Sequence, residues 1–239
     1  MGKILKALGM LFLIYTLGLF LSLCFEFLRM TGRVRIRYPA NIRGRGSGMI
    51  VFSNHPSLMD PVLVPVALFA PRWFAKPFKV MPWSVADKKN YIDKWYYFFL
   101  RLARVVPVRT NSDGERSDFL ALRKMFRAVR SGDNLIIYPE GTRTAKTKKR
   151  YEIAGGKQLG YFRPGIEFLL RHSSSEFLPV WIEGTEKVMP VGSWFPAFWR
   201  SPIAIVIGEP FTNEGDAVPK DPDERRRFLE EKLIDLAEM

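Results

Sequence analysis

The sequence has very few of the residues from which disulfide frameworks and zinc sites are built. Its 239 residues include one cysteine, Cys24, and two histidines, His55 and His172. One cysteine cannot form an intramolecular disulfide, and these few ligands cannot assemble a zinc site of the usual spacing. The sequence therefore excludes a disulfide scaffold and a Cys/His metalloprotein.

Acidic residues are scarce relative to basic ones. Lys and Arg number 37 against 24 Asp and Glu, which gives a formal net charge of +13. Such a surface attracts nucleic acid, anionic lipid or phosphorylated substrates. Apolar residues make up 47% of the chain and no repeat is visible, which excludes a disordered or repetitive protein. The length fits one α/β domain with an N-terminal appendage.

The N-terminal segment contains a run of 19 uncharged residues, from Ala7 to Phe25. Basic residues flank it: Lys3, Lys6, Arg29, Arg33, Arg35 and Arg37. About 20 apolar residues cross a bilayer core, and the apolar region of a signal peptide usually has only about 7–15. We therefore interpret residues 1–30 as a membrane-anchoring helix, spanning or interfacial, and residues 31–239 as the folded domain; a buried core helix is the alternative. If the helix spans, the basic cluster after Phe25 places the domain on the cytoplasmic side.

Short apolar runs alternate with helical patterns along the rest of the chain. The runs that fit strands are Val34–Tyr38, Met49–Phe52, Trp73–Ala75, Val105–Val108, Leu135–Tyr138, Phe177–Ile182 and Ile203–Ile207. Helical patterns occupy Val62–Phe69, Phe119–Val129 and the segment of Leu229, Leu233 and Leu236. Strands that alternate with helices indicate an α/β layer fold.

A histidine and an aspartate separated by four residues, His55 and Asp60, follow the second predicted strand. Residues five apart in a regular helix point about 140° apart, so the two could not meet there. If His55 lies in the turn before the helix, with Pro56 breaking the register, Asp60 can reach back to its ring. A carboxylate on one imidazole nitrogen fixes the tautomer and makes the other nitrogen a general base. The alternative is structural, with His55 capping the turn and Asp60 capping the helix.

A second polar segment, Pro139–Thr144, follows the strand predicted at Leu135. Gly141 permits close backbone approach, Thr142 offers a hydroxyl, and Arg143 can bind a phosphate bidentately. Arg109 follows another predicted strand, and two strand-end arginines suit a phosphomonoester. No nucleophile-elbow serine is present, so His55 is expected to take its proton from a substrate hydroxyl or water.

Four blocks of residues resemble, in order, those of the glycerolipid acyltransferase family that includes 1-acylglycerol-3-phosphate acyltransferases. The blocks are Asn54-His55 with Asp60, then Arg109, then Pro139–Arg143, then Leu178–Val180. They extend over more than half of the chain. The resemblance implies a single α/β domain with a mixed central sheet flanked by helices, in addition to the N-terminal apolar membrane helix.

The resemblance also implies a mechanism. His55, oriented by Asp60, would deprotonate a lysolipid hydroxyl, which attacks the thioester of acyl-CoA or acyl carrier protein. The residues implied to hold the glycerol phosphate of the acceptor are Arg109, Glu140, Gly141, Thr142 and Arg143. No metal, cofactor or covalent acyl-enzyme is required, and we expect an oxyanion donor among the backbone amides of the Asn54–Ser57 turn.

The implied function is transfer of an acyl chain to the sn-2 hydroxyl of 1-acylglycerol 3-phosphate, which gives phosphatidate for phospholipid synthesis. The expected partners are the bilayer, a lysophospholipid acceptor and the acyl donor. One alternative keeps the chemistry and changes the acceptor to glycerol 3-phosphate or another lysolipid. The other is a non-enzymatic basic protein that binds membranes or nucleic acid. No nucleic-acid-binding module or basic stripe with stacking aromatics is evident, so we expect no nucleic acid.

Two further segments have both a surface and a structural interpretation. Lys146–Arg150 is a solvated loop or a contact for anionic headgroups, coenzyme A phosphates or an acidic carrier protein. Trp194–Arg200 resembles an interfacial aromatic patch with a basic end, with core packing as the alternative.

Overall fold

The computed structural model contains a seven-stranded sheet with helices on both faces. It describes residues 2–39, 48–87, 104–108, 119–193, 195–214 and 218–239. The helices are α1 (Gly2–Leu13), α2 (Leu19–Met30), α3 (Asp60–Ala75), α4 (Pro77–Val80), α5 (Phe119–Arg130), α6 (Ile166–His172), α7 (Thr185–Val188) and α8 (Pro222–Glu238). The strands are β1 (Val34–Arg37), β2 (Met49–Ser53), β3 (Trp83–Asp87), β4 (Val105–Val108), β5 (Leu135–Ile137), β6 (Arg150–Ile153), β7 (Lys157–Gly160), β8 (Glu176–Glu183) and β9 (Ile203–Ile207).

The strands of the main sheet lie in the order β1-β9-β8-β2-β5-β3-β4. Neighbouring strands run parallel except β8 and β9, which are antiparallel. The mixed sheet flanked by helices that the sequence predicted is confirmed. Strands β6 and β7 form a separate antiparallel hairpin. Because β2, β5 and β8 are parallel neighbours, the loops that leave their carboxyl ends meet at one edge of the sheet.

Both faces of the sheet are buried, which explains why its central strands β2, β5 and β8 are apolar except at strand ends, where Ser53, Glu176 and Glu183 lie. In β2, Met49 and Val51 pack into one layer with α3 and the N-terminal helix. Ile50 and Phe52 alternate with them and pack into the other layer, beneath α5, α6 and α8. The central strand therefore sits between two apolar layers, and its end is a rigid base for a site.

Helices α1 and α2 continue into each other through a π-helical turn, Ile14–Gly18. Buried residues along one side, Met10, Ile14 and Phe25, join the layer that contains α3. Exposed apolar side chains along this helix include Leu8, Phe12, Phe20, Leu23 and Phe27. Residues Ala7–Met30 have a mean hydropathy of 2.2 and are long and apolar enough to cross a membrane, by length and composition.

One predicted strand is wrong. Trp73–Ala75 forms the last turn of α3, which continues past Pro71. A three-residue apolar run has no readable period, and a proline in an apolar pattern suggests the end of a helix. Tertiary packing decides the outcome, because the Trp73 ring is buried against the N-terminal helix near Gly18.

Candidate active site

Two polar loops meet at the carboxyl edge of the sheet. The first, the catalytic turn (residues 54–60), follows β2, and the second, the basic loop (residues 138–146), follows β5. Strands β2 and β5 are parallel neighbours, so the loops lie side by side. They are joined by the Thr144 N–H, which donates to the His55 carbonyl over 2.8 Å.

His55 and Asp60 are in contact, as the register break at Pro56 suggested. The His55 Nδ1 lies 2.9 Å from the Asp60 Oδ2, and Asp60 is fully buried as the first residue of α3. The same carboxylate accepts the Ser57 N–H over 2.7 Å and the Thr185 hydroxyl over 2.8 Å. An ionised carboxylate only accepts, so Nδ1 carries the hydrogen and Nε2 keeps its lone pair. This is the arrangement of a histidine that can act as a base.

Two further side chains fix the catalytic turn. The Asn54 amide pairs with both backbone groups of Ile182, at 2.7 and 2.8 Å, and so extends the β2–β8 ladder beyond the end of β2. The Tyr138 ring lies against the His55 ring, with centroids 4.6 Å apart. Burial raises the pKa of the Tyr138 phenol, which therefore stays neutral beside the histidine.

Glu140 is buried, with 1% of its surface exposed, and accepts three hydrogen bonds from the protein. Its Oε1 accepts the His55 N–H over 2.7 Å and the Thr144 hydroxyl over 2.8 Å. Its Oε2 accepts the Gly160 N–H over 2.8 Å, at the end of β7. Burial raises the pKa of this carboxyl to about 7, against the lowering effect of the three hydrogen bonds. As an acceptor ligand Glu140 stays a prediction; its contacts join the two loops to the hairpin.

Two backbone N–H groups of the turn, those of His55 and Ser57, cannot be the expected oxyanion donor. The His55 N–H is taken by Glu140 and the Ser57 N–H by Asp60, while Pro56 has no N–H. Buried carboxylates hold these donors, so neither is free for a substrate oxygen.

The basic loop presents its hydroxyl and its cations to a cavity. Gly141 has a φ of +70°, and a Cβ there would lie 2.4 Å from the Arg163 Cδ, so only glycine fits. Thr142, Arg143 and Lys146 line the cavity. Within the described ranges neither Arg143 nor Lys146 has an ion-pair partner. Arg109, the remaining predicted ligand, lies outside the described residues.

The cavity has a volume of about 490 Å³ and lies between α3 and the N-terminal helix. His55 is in its wall, with the basic loop beside it. Its apolar lining includes Leu13, Ile14, Leu17, Leu21, Val62, Pro65, Val66 and Trp73. The α3 residues that line it run from Pro61 to Trp73, so the cavity follows the helix for about 18 Å at about 1.5 Å per residue. One cavity thus combines a histidine that can act as a base, the two cations of the basic loop and a long apolar wall; Asp87 and Arg104 also line it.

The fold and the site define an α/β enzyme that directs a carboxylate-oriented histidine into an apolar cavity. A family model described as Acyltransferase matches residues 33–183, and the chain belongs to this Acyltransferase family. The protein is therefore an acyltransferase, and the family resemblance of its sequence blocks is confirmed.

The fold is also similar to that of a solved structure, the 1-acyl-sn-glycerophosphate (LPA) acyltransferase PlsC from Thermotoga maritima. The two chains are 21% identical and align with a TM-score of 0.58, over 100% of this chain and 99% of that one. At this level of identity the similarity confirms the α/β fold with its N-terminal apolar helix.

Sequence reasoning missed one partner of the site. Thr185 opens α7 directly after β8, and its hydroxyl holds the second oxygen of Asp60. The sequence carried no signal for this contact, because no local pattern predicts that β8 lies beside β2. In the structure Thr185 follows Gly184, whose φ is +87°. A Cβ on Gly184 would lie 2.2 Å from the Pro202 carbonyl oxygen, so the turn that delivers Thr185 requires glycine.

Proposed function

We propose that this protein transfers an acyl chain from acyl-CoA or acyl carrier protein to the sn-2 hydroxyl of 1-acylglycerol 3-phosphate, giving phosphatidate. The observation that carries the proposal is the shared cavity: the His55 base and the cations of the basic loop face the same space. Such a space suits a substrate with an apolar chain, a hydroxyl and a phosphate.

His55 acts as the general base. Its Nε2 accepts the proton of the acceptor hydroxyl as the oxygen attacks the thioester carbonyl. The tetrahedral intermediate collapses, the carbon–sulfur bond breaks, and the leaving thiolate takes the proton from the imidazolium. Asp60 stabilises the imidazolium between the two proton transfers, and general base catalysis of this kind contributes about 10²–10⁴-fold in rate.

Arg143 and Lys146 bind the phosphate of the acceptor. Arg143 is half-buried at the cavity wall, so its guanidinium is less screened than a fully exposed cation. A guanidinium can contact two phosphate oxygens at once, and the lysine adds a second positive charge. An acceptor without a phosphate loses these contacts, so we expect 1-acylglycerol 3-phosphate to be favoured over neutral lysolipids.

The apolar part of the cavity holds the acyl chain. About 18 Å of wall along α3 corresponds to the extended length of an acyl chain of ordinary size. The opposite wall comes from the N-terminal helix, so this helix takes part in substrate binding as well as in anchoring.

We infer that the exposed apolar side of the N-terminal helix is inserted in the membrane. Its buried side packs beside α3 between Met10 and Phe25, so the folded domain lies along the helix. This arrangement favours a helix that lies in one leaflet over one that crosses the bilayer and carries the domain beyond its end. We place the domain on the cytoplasmic side, because the anionic lipids of the cytoplasmic leaflet attract the basic residues that follow the helix.

The test is thiol release from palmitoyl-CoA by the detergent-solubilised protein. The acceptors to be compared are 1-acylglycerol 3-phosphate, glycerol 3-phosphate, lysophosphatidylcholine and none. We expect release that depends on 1-acylglycerol 3-phosphate, with a loss of at least about 10²-fold in His55→Ala. His172→Ala is the matched control, because that histidine is exposed at the end of α6, and its activity should be unchanged.

The other outcomes are equally informative. Thiol release that depends only on another acceptor would support the acyl-transfer reaction and show that 1-acylglycerol 3-phosphate is not the acceptor. Equal turnover by a folded His55→Ala variant removes His55 from the mechanism. No release with palmitoyl-CoA, followed by release with palmitoyl-acyl carrier protein, identifies the donor; no release with either contradicts the proposed function.

A further inference from the structure

The segment between α7 and β9 exposes two large aromatic side chains. Phe195 is 82% exposed and Trp199 is 72% exposed. We call residues 190–193 and 195–202 the aromatic loop; Trp194 lies outside the described residues. Aromatic surface of this size is unfavourable in water, and clustered exposed apolar side chains mark sites of contact.

The aromatic loop rests on a fixed support. Ala197 is buried, and its N–H donates to the Val188 carbonyl over 2.8 Å. The Phe198 ring packs against the core layer that includes the N-terminal helix. The Arg200 N–H closes a turn onto the Ala197 carbonyl over 3.0 Å. The loop is therefore anchored at its centre while Phe195 and Trp199 point outward.

The loop adjoins the catalytic turn. It leaves the carboxyl end of β8, which is parallel to β2, and so lies at the same edge of the sheet as His55. The Ser57 hydroxyl donates to the carbonyl of Met189, the residue that precedes the loop, over 2.9 Å. A partner surface that contacts Phe195 and Trp199 therefore also lies close to the catalytic turn.

The loop is continuous with the N-terminal helix. The Ile203 N–H donates to the Arg33 carbonyl over 2.8 Å, and Met30, at the end of α2, is 86% exposed. Trp199 precedes Ile203 by four residues, which span at most about 14 Å of extended chain. Trp199 therefore lies within about 14 Å of the strand end that bonds to the segment following α2, at the same edge of the sheet as His55.

The charges around the loop are mainly positive. Lys187 and Arg200 are exposed close to it along the chain, and Glu186 is half-buried. Arg33 is also exposed, and its carbonyl accepts the Ile203 N–H just after the loop. Aromatic rings beside cations are favoured at the headgroup level of bilayers, where the cations meet anionic lipid. A lipid surface matches both the apolar and the charged part of this patch.

We propose that the aromatic loop is a second membrane contact, which inserts Phe195 and Trp199 into the interface of an anionic bilayer and turns the catalytic edge toward the lipid. The loop and the N-terminal helix then hold the domain at two points, and a lysolipid reaches the cavity from the membrane plane. This contact rests on the membrane location given under the proposed function and is independent of the acyl-transfer reaction.

The test places a fluorophore on the loop of the full chain. In a Cys24→Ser background, which removes the only cysteine, Phe195→Cys is labelled and reconstituted into vesicles of phosphatidylcholine and phosphatidylglycerol. The phosphatidylcholine is either plain or brominated in the upper part of its acyl chains, because bromine quenches only by contact. Ser174→Cys is the matched control, since Ser174 is exposed at the opposite edge of the sheet, before β8.

Bromine should lower the fluorescence of the label at position 195 and leave the label at position 174 unchanged. Equal fluorescence at 195 in plain and brominated vesicles overturns the proposal. Quenching at 195 that follows the protein-to-lipid ratio and ignores bromine also overturns it, by showing that a second copy of the chain covers the loop. The same measurement in a His55→Ala background should give the same quenching, so the test of the membrane contact does not depend on the proposed acyl transfer.

A second measurement tests the consequence for access to the site. The double variant Phe195→Ser, Trp199→Ser should lose turnover with 1-acylglycerol 3-phosphate embedded in vesicles and keep turnover with the same acceptor in detergent micelles. Equal turnover of variant and parent protein in both settings overturns the role of the loop in lipid access.

Discussion

The catalytic turn and the basic loop each contain a buried carboxylate, and the two carboxylates act on different groups. Asp60 contacts a titratable ring, a backbone N–H and a hydroxyl. Glu140 contacts two backbone N–H groups and a hydroxyl, and no ring. Both lie at the same edge of one sheet. The difference between them is that Asp60 holds a ring that lines the cavity, whereas Glu140 holds the backbone of the surrounding loops.

The two loops also differ in what they expose. The catalytic turn presents an imidazole, which can accept a proton, and the basic loop presents two cationic side chains, Arg143 and Lys146. Changes in the turn should therefore act on kcat, and changes at the cations should act on the KM of the acceptor. Glu140 joins the two loops, so its loss should disturb the geometry of the turn.

The largest effect is expected for Asp60→Asn. The amide has the shape of the carboxylate, and Thr185 can accept its N–H in place of donating its hydroxyl. The negative charge that stabilises the imidazolium is lost, so kcat should fall by about 10³–10⁴-fold with little change in the KM of the acceptor. Steady-state kinetics with both substrates varied measures the two constants.

Thr185→Val is the graded control for that variant. It removes one hydrogen bond from the Asp60 carboxylate and keeps the charge. Its loss of kcat should be much smaller than that of Asp60→Asn. If the two variants lose kcat equally, the charge of Asp60 is not what assists His55.

An intermediate effect is expected for Glu140→Gln. Donors face both carboxylate oxygens, so the glutamine NH₂ must meet the N–H of His55 or that of Gly160. One buried N–H is left unpaired, which costs about 1–3 kcal/mol of stability. The turn that holds His55 shifts with it, and a misplacement of about 1 Å lowers kcat by about 10²-fold.

Gly160→Ala disturbs the same carboxylate from outside the site. A Cβ at Gly160 would lie 2.4 Å from the Glu140 Oε2, and Gly160 is not part of the cavity wall. Both variants should lower kcat and leave the KM of the acceptor unchanged. A rise in acceptor KM in Glu140→Gln alone would show instead that Glu140 binds the acceptor directly.

The smallest effect is expected for Arg143→Ala. Loss of one charge-assisted contact with a phosphate costs about 1.5 kcal/mol at a partly solvated site, which raises the KM of the acceptor about tenfold. The kcat should remain close to that of the parent protein. Lys148→Ala is the matched control, because Lys148 is exposed in the same basic run and does not line the cavity. Equal KM values for the acceptor in the two variants would show that Arg143 does not bind the phosphate.

Local features of the site could be predicted well. The contact between His55 and Asp60 depends on a turn of a few residues after an apolar strand, and Pro56 marks where the helical register cannot begin. The glycine at position 141 follows from the close approach that a ligand loop requires. The misread strand at Trp73–Ala75 had only a three-residue run behind it, and packing against the N-terminal helix overrides so weak a signal.

Long-range features of the site could not be predicted. Glu140 lies 85 residues from His55 and 20 from Gly160 along the chain, so no spacing reveals that it joins them. The resemblance assigns it to the acceptor, which stays a prediction; the structure adds its contacts with the two loops and the hairpin. Thr185 lies 125 residues from Asp60, and only the pairing of β8 with β2 brings the two together.

The amino-acid pattern alone predicts the alternation of strands and helices, the long apolar helix at the N-terminus, and the contact between His55 and Asp60. Those features depend on period, composition and neighbours within a few residues. The tertiary structure was needed to see which faces enclose the cavity, which buried carboxylate holds the His55 ring, and where the exposed aromatics lie relative to His55. Each of these depends on the order of strands in the sheet, which is set by the joint burial of two apolar layers and not by any local pattern.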